Sequence, residues 1–128
     1  MNQSTKQATT QRTRAAADTA LRAVADAFIA ATNTFHTEEA VALFASNGVI
    51  DDPSTGHVFT GHDGIRNYIQ RYFVGYNTIS TIVTARHETA RRIRLRVDFT
   101  GDFGHEIGLL VVTVNDEGLV MRIDAALE

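Results

Sequence analysis

Apolar side chains follow two different periods along this chain, and the change from one to the other comes near Asn77. Before that point they recur every three or four residues, which is typical of helices that bury one face. After it they alternate with polar residues, which is typical of strands in a sheet with one covered face. Helices followed by a run of strands predict an α+β fold.

Three segments carry the helical pattern, and they span 14–33, 37–45 and 62–73. The first is rich in alanine, a strong helix former, and repeats large apolar residues at helical spacing. Thr37 is a good N-cap for the second helix, and Asp63 is a good cap for the third. Residues 1–13 are polar and aperiodic, so the sequence predicts a disordered tail there and a single folded domain over 14–128.

Four runs in the second half carry the strand pattern, and they span 78–87, 92–101, 105–114 and 119–127. Short polar turns separate them, which predicts an antiparallel meander. An earlier strand over 49–52 ends at Pro53, because proline lacks an amide donor and fixes its own φ. A short extended piece is expected at Val58 and Phe59. We expect a curved antiparallel sheet, shaped like a cone, that wraps around the three N-terminal helices and leaves a pocket.

The strand over 92–101 separates two faces of the predicted sheet. Its apolar face holds Ile93, Leu95, Val97 and Phe99, and its other face holds arginines and Asp98. The run 107–114 is apolar almost throughout, so it needs a cover on both sides. The helices supply one cover, and we expect a second subunit to supply the other. The sequence therefore predicts a homodimer formed through the sheet, with these residues facing outward: Arg94, Arg96, Asp98, Leu109 and Val111.

The strand over 49–52 ends in two carboxylates, and this end is the leading candidate for a functional site. Neighbouring residues on a strand point to opposite sides, so only one of Asp51 and Asp52 can face a pocket. We expect it to be Asp52, acting as a general base, because a strand end holds its carboxylate still beside a substrate. The alternative is that both aspartates merely start a turn before Pro53.

Composition and charge exclude several classes of function. A chain of 128 residues with 44% hydrophobic residues can bury the core of one domain. Its net charge of −3 provides no basic surface for nucleic acid or an acidic membrane. Cysteine is absent and the five histidines lack metal-ligand spacing, so no metal and no cofactor are expected. Without a secretory signal or an apolar run that could span a bilayer, the chain is predicted to be cytoplasmic.

Three segments carry a family resemblance: VALFASNGVIDDPSTG, GHDGIRNYI and NDEGLV. Together they resemble the nuclear transport factor 2-like superfamily, and more narrowly its SnoaL-like polyketide cyclase and ketosteroid isomerase branch. The resemblance extends over about 20–127 and implies a cystatin-like α+β fold with a conical pocket. It also implies a role for Asp52, which occupies the place of the aspartate base that precedes a proline in ketosteroid isomerases.

The same resemblance implies that the ketosteroid isomerase reaction is not carried over intact. The place of the oxyanion tyrosine on the first helix is taken by Phe28, and the protonated aspartate falls near Leu110. Neither side chain can donate a hydrogen bond to an enolate. A second resemblance is to the limonene-epoxide-hydrolase branch, whose Arg-x-Asp strand motif matches Arg96 and Asp98, with Asp124 near its second aspartate.

The remaining candidates follow from their phase on the predicted elements. Tyr68 on the third helix could direct its hydroxyl into the cavity, whereas Tyr72 is expected to pack. Glu106 lies in phase with inward residues and could form an acid–base pair with Asp52, or it could be a strand-edge residue in solvent. The predicted catalytic residues are therefore Asp52, Tyr68 and Glu106. The predicted ligand-binding residues are Phe28, His87, Val97, Phe99, Leu110, Val112 and Ile123.

Two functions are consistent with this set of residues. The first is a cofactor-independent isomerase, cyclase or hydrolase that binds a small, mostly apolar molecule and uses Asp52 as its base. The second is a non-catalytic ligand-binding or dimerisation module of the same fold, because one fold of this kind serves many functions.

Overall fold

The structure is a computed structural model that describes the backbone of residues 2–128 and the side chains of residues 11–128. Its helices are α1 (Asn2–Asn33), α2 (Thr37–Val41) and α3 (Gly61–Ile69). A π-helical turn, Gln70–Val74, continues α3. Among the described residues, no helix has both the length and the hydropathy needed to cross a membrane.

The boundaries of the first two helices differ from the sequence prediction. Helix α1 begins at Asn2, well before the predicted start at residue 14. The prediction of a disordered tail falls mainly on residues whose side chains lie outside the described part, and it stays a prediction. Helix α2 ends at Val41 instead of residue 45. The reason is that Val120 donates its amide to Leu43 O at 2.8 Å, which draws the following residues into the sheet.

Six strands form one sheet: β1 (Phe44–Asp52), β2 (His57–Thr60), β3 (Ile79–Thr89), β4 (Arg92–Gly101), β5 (Gly104–Val114) and β6 (Val120–Leu127). Their order across the sheet is β2-β1-β6-β5-β4-β3. The predicted antiparallel meander is confirmed from β3 to β6, and β1 also pairs antiparallel with β2. Among the described strands, β1 and β6 pair in parallel, so the expected antiparallel sheet is mixed at this contact.

Irregular pairing curves the sheet around the helices. Register shifts interrupt the pairing of β1 with β6, of β3 with β4, and of β5 with β6. Such bulges bend a strand and increase its twist. The α+β fold with a curved sheet is therefore confirmed.

The core lies between the concave face of the sheet and the helices. Phe28 of α1 contacts Phe44 and Phe73 edge-on, with ring centroids 5.9 Å and 6.1 Å away. The strands meet them with fully buried side chains, among them Leu95 and Ile123. Burial of this apolar surface is the main favourable term in folding.

A side chain joins the end of α1 to the first strand of the meander. The Asn33 Nδ2 donates to Ser80 O at 2.8 Å, and Ser80 N donates to Asn33 Oδ1 at 2.7 Å. Both bonds are partly buried. They fix where α1 ends relative to β3.

The convex face of the sheet carries ion pairs beside apolar side chains. Arg96 forms two hydrogen bonds with the carboxylate of Glu128, at 2.8 Å and 2.9 Å. Leu109 and Val111 are half-buried on this same face. The described chain leaves this face without a covering layer, as the alternation of β4 predicted.

Candidate functional site

The site is built where β1 ends. Pro53 opens a short 3₁₀ turn, Pro53–Thr55, because its ring fixes φ and it has no amide to extend the sheet. Asp52 caps this turn: its Oδ1 accepts hydrogen bonds from Ser54 N at 3.1 Å and from Ser54 Oγ at 2.6 Å. The Thr55 hydroxyl donates to the backbone oxygen of Asp52 at 2.7 Å. The carboxylate is therefore held in one orientation.

Tyr68 of α3 completes the set of donors to this carboxylate. Its hydroxyl donates to Asp52 Oδ2 at 2.7 Å. Tyr68 is 6% exposed, and its ring contacts Phe59 with centroids 5.0 Å apart. Burial, and then the nearby charge of Asp52, raise the pKa of the Tyr68 hydroxyl well above its usual value. Tyr68 therefore stays protonated and donates across the physiological pH range.

The neighbouring carboxylate of Asp51 points to the convex face. There its Oδ2 accepts a hydrogen bond from Arg122 at 2.8 Å, and Arg122 also binds Asp124 at 2.9 Å. This Asp–Arg–Asp arrangement differs from the Arg96, Asp98 and Asp124 set of the second resemblance. All of these side chains lie away from the cavity lining.

A cavity of about 320 Å³ lies beside Asp52. Its lining consists of Asp52, Ser54, Thr55, Tyr68, Tyr72, Phe73, Tyr76, Thr78, Phe99, Phe103, Glu106, Leu109, Leu110, Ala125, Ala126 and Leu127. Most of this surface is apolar or aromatic, and Ser54, Thr55 and Tyr68 provide polar groups in contact with Asp52. Such a combination is typical of small-molecule sites.

Four rings form one side of the cavity, here called the aromatic wall: Tyr68, Tyr72, Tyr76 and Phe103. Successive centroids lie 5.2 Å, 6.3 Å and 6.2 Å apart. The π-helical turn produces this wall, because Gly75 N bonds to Gln70 O at 2.8 Å, five residues back. The additional residue in the turn rotates the end of the helix. Tyr76 and Phe103 are 45% and 39% exposed and form the outer end of the wall.

Four hydroxyl groups of the cavity lining already donate to protein acceptors. Tyr68 and Ser54 donate to the Asp52 carboxylate, Thr55 to a backbone oxygen, and Thr78 to Tyr72 O at 2.7 Å. A carboxylate offers about four acceptor positions. Asp52 uses three of them, so one is left for a ligand. This end of the cavity therefore presents acceptors to a ligand.

Five of the residues predicted from the sequence line the cavity: Asp52, Tyr68, Phe99, Glu106 and Leu110. Asp52 and Tyr68 are in direct contact. Glu106 lies on β5 and is exposed. The roles of these residues stay predictions.

The other predicted ligand-binding residues lie elsewhere. Phe28, Val97, Val112 and Ile123 are at most 2% exposed and belong to the core, outside the cavity lining. They share the concave face with the lining residues, but the helices cover them. His87 Nε2 lies 3.0 Å from Asp18 O, between β3 and α1. The backbone of α1 thus occupies the side on which His87 was expected to meet a ligand.

Eleven lining residues were not predicted as part of the site, and one of them, Leu109, was expected to face outward. They are Ser54, Thr55, Tyr72, Phe73, Tyr76, Thr78, Phe103, Leu109, Ala125, Ala126 and Leu127. Tyr72 was expected to pack, and it does contact other rings while it also lines the cavity. The spacing of the three tyrosines, four residues apart, is the signal in the sequence that indicates one shared face. Phe103 offers no such signal, because it lies in a tight turn.

Comparisons with known proteins give the family and the fold. A family profile described as a SnoaL-like domain matches residues 25–125. No protein with a curated description matches the sequence.

Solved structures provide a second comparison. A ketosteroid isomerase candidate from Kribbella flavida is 23% identical with a TM-score of 0.75, over 85% of this chain and 78% of its own. A Mycobacterium tuberculosis protein in complex with estradiol-17β-hemisuccinate is 15% identical with a TM-score of 0.74, over 85% and 94%. A polyketide cyclase candidate from Sinorhizobium meliloti is 15% identical with a TM-score of 0.74, over 80% and 93%. At these identities the likeness shows a common fold.

Proposed function

Because the chain belongs to the SnoaL-like domain family, we propose that it binds a small, mostly apolar molecule in the conical cavity and acts on it without a cofactor. In this proposal Asp52 is the general base of an isomerase, cyclase or hydrolase reaction. The observation that carries it is the Asp52 carboxylate, which lies in the cavity lining with one acceptor position left for a substrate.

The similar structures support a small-molecule ligand. One of them holds an estradiol derivative, and two others are candidates for a ketosteroid isomerase and a polyketide cyclase. Each of these functions needs a cavity for an apolar molecule. The cavity of about 320 Å³ in this chain falls at the lower end of the size range of ligand pockets.

The proposed proton transfer starts from the ionised Asp52. Its free acceptor position takes a proton from a C–H or O–H group of the substrate, or in a hydrolysis from the attacking water, and the bonding electrons remain on the group that loses the proton. In an isomerisation the same proton then returns to another atom of the substrate, so that Asp52 is ionised again. Tyr68 and Ser54 orient the carboxylate throughout, and such positioning is a large part of catalysis. The hydroxyls of Tyr72 and Tyr76 are the donors left to bind the negative charge on the substrate.

The test is the variant Asp52→Asn in a turnover assay against a panel of enolisable ketones and epoxides. An amide cannot act as a base, so turnover is expected to fall by about a hundredfold or more. Glu117→Gln, the same chemical change on the β5–β6 turn, is the matched control and should leave turnover unchanged. Equal turnover in Asp52→Asn and the wild type would contradict the assignment of the base.

A non-catalytic binding module is the second candidate, and one observation favours it. The hydroxyls of Tyr68, Ser54, Thr55 and Thr78 all donate to protein groups and are not free to stabilise an oxyanion. If the protein is a binding module, neither the wild type nor any variant turns over a compound of the panel. Ligand binding, measured by NMR chemical-shift titration, then persists in the wild type.

We also propose that two copies pair through the convex face of the sheet. Leu109 and Val111 would form the apolar centre of the contact, and the ion pairs of Arg96 and Arg122 would lie around it. Val111→Glu would place an unpaired charge in that centre and is expected to give a monomer in analytical ultracentrifugation. A wild-type protein that is monomeric at micromolar concentration would contradict the proposal.

A further inference from the structure

The charged groups in the cavity are all of one sign. Asp52 and Glu106 belong to the lining, whereas no lysine, arginine or histidine of the described residues does. The three hydrogen-bond donors to Asp52 are an amide and two hydroxyls, and all three are neutral. Its negative charge is therefore not balanced by a protein cation inside the cavity. Partial enclosure by apolar groups strengthens the field of such a charge.

Hydrogen-bonding groups of the cavity lining point to the same preference. Four lining hydroxyls donate their hydrogen bonds to protein acceptors and can therefore only accept from a ligand: those of Ser54, Thr55, Tyr68 and Thr78. Among the lining hydroxyls only those of Tyr72 and Tyr76 are left to donate to a ligand carboxylate or phosphate, and such a ligand would also meet the like charges of Asp52 and Glu106. A ligand that brings its own N–H or O–H donors satisfies the acceptors.

The aromatic wall favours a ligand whose hydrogen-bond donor is positively charged over one whose donor is neutral. The faces of aromatic rings attract cations through their quadrupoles, and tyrosine is among the better rings for this. The wall already shows this contact once, on its outer side, where the guanidinium carbon of Arg71 lies 5.5 Å from the ring centre of Tyr72. Exposed rings at the outer end, on Tyr76 and Phe103, leave aromatic surface open to a ligand.

We propose that the cavity selects organic cations, with a protonated amine directed at Asp52 and a flat apolar body against the aromatic wall. The inference rests on the proposed function for the cavity and its small-molecule ligand, and it favours the binding-module form, because an ammonium at the one acceptor position left on Asp52 occupies the position that proton transfer would need. An ammonium bound to Asp52 adds a Coulomb attraction between two full charges, which the hydroxyl of a neutral ligand lacks. Glu106 adds a second negative charge on the lining, and anionic ligands are rejected.

The test uses three probes with the same naphthalene body: naphthalen-2-ylmethylamine, naphthalen-2-ylmethanol and naphthalene-2-carboxylate. Dissociation constants are measured by NMR titration of the full chain at pH 7, where the first probe is a cation. The amine is expected to bind more tightly than the alcohol by about fivefold or more, and the carboxylate to bind most weakly. A smaller preference for the amine, or tighter binding of either other probe, overturns the inference.

Two variants separate this inference from the proposed function. Asp52→Asn and Glu106→Gln should each reduce the affinity for the amine several-fold and leave that for the alcohol nearly unchanged, whereas Glu117→Gln should change neither. Glu106 is exposed, so its variant keeps the test valid if Asp52→Asn fails to fold. Binding of the probes without preference for the amine overturns the inference and leaves the proposed function intact. Failure of all three probes to bind contradicts both.

Discussion

The hydrogen bond from Tyr68 to Asp52 can be tested by removing one oxygen atom, in the variant Tyr68→Phe. The phenylalanine ring keeps the contacts with Phe59, Tyr72 and Phe73, whose centroids lie 5.0 Å, 5.2 Å and 6.0 Å away. Packing is therefore unchanged, and the variant measures the hydroxyl alone.

The expected loss of stability follows from the charge of the acceptor. A hydrogen bond to a charged group contributes about 1.5–3 kcal/mol, and a bond between neutral groups contributes about half as much. Asp52 keeps its two bonds from Ser54 and has partial access to solvent, so the lower part of that range applies. We expect Tyr68→Phe to lower the free energy of unfolding by about 1.5–2 kcal/mol at pH 7.

The raised pKa of Tyr68 also predicts how the stability of the protein changes at alkaline pH. The pKa of Tyr68 is raised in the folded state, so the unfolded chain releases this proton first as the pH rises. Stability from Tyr68 is thus complete below the usual tyrosine pKa near 10 and is lost as the pH rises above it. Tyr68→Phe should show a smaller loss of stability above pH 10 than the wild type.

Urea unfolding followed by circular dichroism measures both effects. Tyr76→Phe is the matched control, because Tyr76 is 45% exposed and a surface change of this kind stays within about 0.5 kcal/mol. Equal stability of Tyr68→Phe and Tyr76→Phe at pH 7 would refute the argument. So would the same alkaline loss of stability in Tyr68→Phe and in the wild type.

Two further substitutions test the frame that holds the site. A Cβ at Gly108 would lie 2.8 Å from Ala126 O and 3.0 Å from a ring carbon of Phe99. Gly108→Ala should therefore lower the free energy of unfolding, measured in urea, by about 1–3 kcal/mol. An unchanged free energy of unfolding would contradict this close packing. Asn33→Ala removes two hydrogen bonds and leaves Ser80 N without its partner. The free energy of unfolding is therefore expected to fall by about 1–2 kcal/mol, and a fall below about 0.5 kcal/mol would show that these bonds contribute little.

The strands could be predicted from the sequence because their signal is local. Strand β4 spans Arg92–Gly101 as predicted, since its period-2 pattern and its flanking turns lie within the segment itself. The boundary between α2 and β1 could not be predicted in the same way. It depends on the pairing of Phe44 with Val120, which is distant in sequence, and this pairing overrides the helical pattern of 42–45.

The position of Asp52 in the cavity lining was predictable from the sequence, and most of the lining around it was not. Asp52 follows from the strand end and the proline beside it, but its contact with Tyr68 depends on how α3 packs against β1. Alternation places Val97 and Phe99 on one face of the sheet, yet only Phe99 reaches the cavity. The sequence cannot show where the helices stop covering that face.

The two hydrogen bonds between Asn33 and Ser80 also protect an edge of the sheet. Strand β3 is an outermost strand, and its unpaired backbone groups could template a strand from another molecule. The amide side chain of Asn33 occupies both backbone groups of Ser80, as a neighbouring strand would do. Farther along β3, register shifts near residues 82–84 and 87–89 make this edge irregular, which opposes regular pairing with a strand from another molecule. The opposite edge, β2, is four residues long and offers little to pair with. Through Asn33, helix α1 therefore opposes edge-to-edge aggregation of the sheet, in addition to covering its core.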